Sequence, residues 1–74
     1  MASELESFIK RDNARYVASF SNSGKVPKED FYSRVHLVAQ WRQTESIASY
    51  DVLYTAAYND LVAEINASGL IIEN

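Results

Sequence analysis

The sequence predicts an all-α fold: a small antiparallel three-helix bundle with helices over about residues 4–22, 28–43 and 46–67 and a short C-terminal tail. Three observations carry this. Apolar residues recur at three- and four-residue spacing in three separate segments, which gathers them on one face of a helix. The two glycines and single proline of the chain fall between or after those segments. Beta-branched alternation is absent outside the tail, so a sheet is not expected.

The first segment opens on Ser3, with Glu6 three residues later. That spacing fits a capping box, in which each side chain satisfies a free backbone N–H of the first turn. Leu5, Phe8, Ile9, Tyr16 and Phe20 form the apolar stripe, with Arg11 and Arg15 opposite. Ser21-Asn22-Ser23-Gly24 ends it, since glycine tolerates the left-handed conformation of a helix stop. Pro27 suits the start of the second segment. There Glu29 and Asp30 complement the positive end of the helix dipole, and Phe31, Val35, Val38 and Trp41 form the stripe. Thr44 or Ser46 can cap the third segment. Its stripe is the longest: Ile47, Tyr50, Tyr54, Ala57, Tyr58, Leu61 and Ile65. Gly69 closes it, and Leu70-Ile71-Ile72 is expected to fold back onto the bundle; the competing reading is a docking peptide or added strand.

A chain of 74 residues is enough for one domain, so residues 1–74 are read as a single helical unit. At this size roughly 60% of the unfolded surface is buried, and stability is marginal without a staple. With no cysteine and His36 the sole histidine, disulfides and thiolate or imidazole-rich metal sites are excluded. No cofactor is expected. Apolar residues make up 47% and charged residues 23%, a globular rather than a disordered balance. No apolar run approaches the roughly 20 residues of a membrane span. Met1-Ala2-Ser3-Glu4 lacks the basic and apolar regions of a secretion signal. A cytoplasmic protein without membrane association is the expectation.

Charge is unevenly distributed. All seven lysines and arginines lie at or before Arg42, whereas Glu45, Asp51, Asp60, Glu64 and Glu73 follow it. The third helix either presents an acidic face to water or steers a basic partner, a second copy included. Tyr50, Tyr54 and Tyr58 are expected to pack in the core with hydroxyls at its edge, the other reading being a binding groove. Val17, Tyr32, Leu37, Val52 and Leu53 fall off the inward stripes and hint at a second contact surface. Asp12 and Arg34 interrupt stripes; a buried charge is costly unless paired, so a cross-helix ion pair between them is the candidate arrangement. His36 is expected at the surface.

No nucleophile elbow, phosphate-cradling glycine loop or metal-ligand spacing is present, so no enzyme is expected. The function read from the sequence is a protein–protein interaction module: a small regulator, inhibitor or adaptor. Asp51, Val52, Asp60, Glu64, Tyr32 and Leu37 are its candidate contact residues, and a homodimer is in view. The alternative is a helix-turn-helix protein reading DNA with helix 28–43 through Lys28, Ser33, Arg34, Gln40, Arg42 and Gln43. The net charge of −3 argues against nucleic acid.

Overall fold

A computed structural model describes residues 3–74. Met1 and Ala2, on which part of the leader reading rests, lie outside the described residues. Three helices pack together: α1 (Glu4–Ala18), α2 (Lys28–Gln43) and α3 (Tyr50–Ala67). Two three-residue strands, β1 (Lys25–Pro27) before α2 and β2 (Ile71–Glu73) after α3, pair in parallel with Val26 opposite Ile72. No helix among the described residues is long and apolar enough to cross a membrane.

Two helices are shorter than their sequence pattern suggests, and the reason is local. At the end of α1, Phe20 N–H bonds the Val17 carbonyl and Ser21 N–H the Ala18 carbonyl. The Ser19 hydroxyl donates to the Tyr16 carbonyl and that of Ser23 to the Phe20 carbonyl. These serines compete for carbonyls that would otherwise extend the α ladder, so residues 19–24 continue as turns until Gly24 reverses the chain at φ +75°. At the start of α3 the cap is Ser49, whose hydroxyl accepts from Val52 N–H at 3.4 Å. The Thr44 hydroxyl closes α2 on the Trp41 carbonyl. Residues 44–49 are therefore a connection, and Ile47 projects fully into solvent.

The absence of a sheet is the second expectation to be corrected. Gly69, at φ +73°, ends α3 with Leu70 N–H on the Ile65 carbonyl and Gly69 N–H on the Asn66 carbonyl. This six-to-one closure turns the chain back across the helix end. Leu70 is buried there beside Ile65 in the core cluster. The tail then runs alongside β1, and Ile71 N–H bonds the Gly24 carbonyl at 3.3 Å. Strands of three residues are too short to show alternation in a sequence. Ile71 itself is 60% exposed, so the tail covers the core through Leu70 and Ile72 rather than as a whole.

The buried lines are shifted from the predicted stripes. In α1 it is Ile9, Asn13 and Val17 that point inward, each four residues from the next. Phe8 turns out to the edge, where its ring meets Trp41 at 5.2 Å. In α3 the inward line is Leu53, Ala57, Leu61 and Ile65. Val17 and Leu53, read from sequence as surface residues, are core residues. Val17 joins Ile9, Val26, Phe31, Val35, Val38, Ala57, Leu61, Ile65 and Leu70 in one apolar cluster, against which Ile72 of β2 packs. Each large member contributes about 1.5–3 kcal/mol by leaving water.

Candidate functional site

Four of the five tyrosines gather on one flank of α2 and α3. Tyr50 and Tyr54 meet along α3 as a tilted pair with ring centroids 5.8 Å apart. Tyr58 meets Tyr32 of α2 at 6.5 Å and rests edge-on against the buried Phe31 at 5.2 Å. His36 Nδ1 hydrogen-bonds the Tyr50 hydroxyl, which ties the start of α3 to the middle of α2. The four-residue spacing that marked Tyr50, Tyr54 and Tyr58 as a stripe puts them beside the inward line rather than on it. Tyr32 is 42% exposed and Tyr58 36%, while Tyr50 and Tyr54 are half-buried. Desolvation, reinforced by the neighbouring phenols of Tyr50, Tyr32 and Tyr58, raises the pKa of Tyr54. The patch presents large apolar area with phenol hydroxyls at its rim.

Asp51 lies three residues before Tyr54 and seven before Tyr58, on the same helical face, and Glu29 stands likewise before Tyr32 and His36. Both carboxylates are exposed. The patch is therefore aromatic in the middle and acidic at two edges. Lys28, beside Glu29, is exposed and lies four residues before Tyr32 and eight before His36, so one cation joins the carboxylates at this edge, while α3 carries none.

On the other side of α2, two arginines fasten α1. The Arg34 guanidinium is buried between the rings of Tyr16 and Trp41, 5.1 Å from each centroid. Its Nε donates to Asn13 Oδ1 at 3.0 Å, and its Nη2 lies 2.7 Å from Asp12 Oδ2. The last contact is close but off the N–H axis, an ion pair rather than an aligned hydrogen bond. The Tyr16 hydroxyl is buried without a hydrogen-bond partner among the described residues. Burial, with the Asp30 carboxylate acting in the same direction and Arg34 against it, pushes this phenol up to about 12.

Arg42 makes the second fastening. It grips Glu6 of α1 with Nε and Nη2 at 3.0 and 2.9 Å, and Nη2 also reaches Asp60 of α3 at 2.8 Å. Burial opposes its charge, but the hydrogen bonds to the two carboxylates outweigh that and hold its pKa above the ordinary value. Between α1 and α3 a groove of about 640 Å³ opens beside this network, lined by Ile9, Lys10, Ala63, Glu64 and Ala67.

The six contact residues proposed from sequence do not share one surface. Tyr32 belongs to the aromatic patch and Asp51 to its rim. Asp60 is held by Arg42, and with Glu64 it lines the α1–α3 groove. Leu37 sits beside Tyr16 and Arg34 on the α1 side of α2. Val52 is exposed. Asp12 and Arg34 do come together, and Asn13, which sequence reasoning missed, completes their site. Arg42 and Glu6 gave no signal, because a long-range ion network leaves no spacing pattern. The chain matches no protein-family profile, no curated protein and no solved structure. No group of three or more histidine, cysteine or acidic side chains suited to a metal is found among the described residues.

Proposed function

We propose that this protein is a non-enzymatic interaction module, a small regulator, inhibitor or adaptor that binds a protein partner through the tyrosine patch of α2 and α3. The observation that carries the reading is the gathering of Tyr32, Tyr50, Tyr54 and Tyr58 at a partly exposed surface with acidic edges. Tyrosine brings rigid contact area and a hydrogen-bonding tip at little entropic cost, and it is enriched where binding energy concentrates. Supporting a protein partner over DNA, the two arginines of α2 are spent internally on Asp12, Glu6 and Asp60. A recognition helix built on Arg34 and Arg42 would have to break those contacts first. The reading of the helices as antiparallel neighbours is supported by Glu6 meeting Arg42 while Asp12 meets Arg34, and by Tyr58 meeting Phe31 while Tyr50 meets His36.

The test is site-directed photo-crosslinking in producing cells, with a photoreactive phenylalanine at Tyr32 or at Leu37 on the opposite side of α2. The expected result is a discrete protein adduct at Tyr32, lost on Asp51→Lys, and none at Leu37. Equal adducts at both positions, or none at Tyr32, overturns the reading.

A further inference from the structure

We infer that the tyrosine patch is occupied by α1 of a second copy of this chain, so that molecules associate head to tail. This deepens the proposed function and rests on it: the patch must be a binding surface before its occupant can be another copy. The inference starts from charges that the fold leaves unspent. Arg34, Arg42 and Lys25 pair within the chain. Lys10, Arg11 and Arg15 of α1 and Lys28 of α2 are exposed and pair with no carboxylate among the described residues, and three of these four stand on α1. Arg11 and Arg15 stand four residues apart on the outward face of α1, a like-charge arrangement that destabilises a helix by about 0.2–0.5 kcal/mol unless an acid answers it. Phe8, 42% exposed, flanks the same face one turn earlier. An aromatic ring with two arginines is the composition of an interface anchor.

The patch matches that face in chemistry and in spacing. Side chains four apart on a helix are about 5–6 Å from each other, and the tyrosine rings are 5.8 and 6.5 Å apart. Two guanidinium groups at that spacing can each lie over a phenol ring, with Asp51 and Glu29 placed to accept their hydrogen bonds. The two faces lie on opposite sides of one molecule. Arg34, which holds α1, and His36, which borders the patch, are two residues apart on α2 and so about 200° apart around it. A contact between different surfaces does not close at two copies. It continues into a chain or ring.

Complementary blocking tests this. Tyr32→Lys with Asp51→Lys places cations in the patch and leaves α1 intact. Arg11→Glu with Arg15→Glu reverses α1 and leaves the patch intact. All four positions are at least partly exposed, and circular dichroism checks that each variant stays helical; Arg11→Gln with Arg15→Gln replaces the second should reversal unfold it. Sedimentation at low salt is expected to show the parent chain growing in mass with concentration past two copies. At about 1 M salt, where screening acts within about 3 Å, it returns to single chains. Each blocked variant stays single, and their equimolar mixture gives a species of two copies that grows no further. A parent chain that stays single at every concentration overturns the inference, as does self-association indifferent to the α1 variant or a mixture that stays single. If Tyr32 then crosslinks to a protein of another mass, the interaction reading stands and only the second-copy occupant falls.

Discussion

Asp12→Ala is the substitution with the largest effect expected from a residue that is not apolar. It leaves the Arg34 guanidinium, 8% exposed, with its charge unanswered between Tyr16 and Trp41. Removing one partner of a fully buried pair costs about 3–5 kcal/mol. Asp12 is itself 26% exposed, so water reaches the vacated site and the cost falls below that range, to about 2–3 kcal/mol. For a domain of this length each kcal/mol moves the melting temperature about 4–8 °C, which places the loss at about 8–24 °C. Glu4→Ala, on the same helix, removes only an exposed carboxylate from the first turn, worth about 0.3–1 kcal/mol. Thermal melts followed by circular dichroism compare the two variants directly. Adding Arg34→Met to Asp12→Ala removes the stranded charge while keeping an unbranched stem between the rings, and should recover stability over Asp12→Ala alone. Only the Asn13 carbonyl is then short of a donor. Equal melting temperatures for Asp12→Ala and Glu4→Ala, or a double variant weaker than Asp12→Ala, would refute the reasoning.

Tyr16→Phe removes a buried hydroxyl that has no partner among the described residues; an unpaired buried hydroxyl costs about 1–3 kcal/mol, so denaturant unfolding should show a variant at least as stable as the parent. The same substitution has a pH signature. Folded Tyr16 keeps its proton up to about 12, whereas the unfolded phenol loses it near 10. Between those values the unfolded state binds fewer protons, so stability is full below pH 10 and falls as pH rises toward 12; Tyr16→Phe should flatten that fall in unfolding midpoints measured across the range. Gly69→Ala meets no neighbouring atom but must hold φ +73°, so it should cost about 1–2 kcal/mol by denaturant unfolding, and Gly69→Asn, which tolerates that region, less. Leu61→Ala empties part of the core and should cost about 2–5 kcal/mol in the same assay.

The helical fold is legible in the sequence because each helix repeats its signal over several turns. The elements that escaped are those with only a local or a distant cause. Phe20 continues the apolar spacing of α1 four residues after Tyr16, yet the hydroxyls of Ser19 and Ser23 take carbonyls that a longer α1 would need. Strand β2 exists because Gly69 redirects the chain toward β1, a contact between residues more than forty apart. The inward faces were read one position out in α1 because Asn13 occupies a buried position with a polar side chain, and only Arg34, 21 residues away, explains it. The acidic character of α3 and the tyrosine spacing were both visible. What spacing could not give was that these tyrosines flank the core rather than fill it, because Leu53 and Leu61 already occupy the inward line.

The two arginines of α2 link this packing to the charge pattern. A chain this small, without disulfides, holds α1 through ion networks at both ends of its contact with α2, Arg42–Glu6 at one and Arg34–Asp12 at the other. Each network withdraws a cation and a carboxylate of the first 42 residues from the surface, and Arg42 also takes up Asp60 of α3. The cations of α1 that remain exposed, Lys10, Arg11 and Arg15, face away from α2 or border the α1–α3 groove. The carboxylates at the tyrosine patch, Asp51 and Glu29, are left without an ion-pair partner among the described residues. What remains is an outer face of α1 on which Arg11 and Arg15 outnumber Glu4, and an aromatic face on which Asp51 and Glu29 outnumber Lys28. The interactions that secure α1 also leave its arginines unanswered within the chain, and that is why the answering acids are sought on another copy.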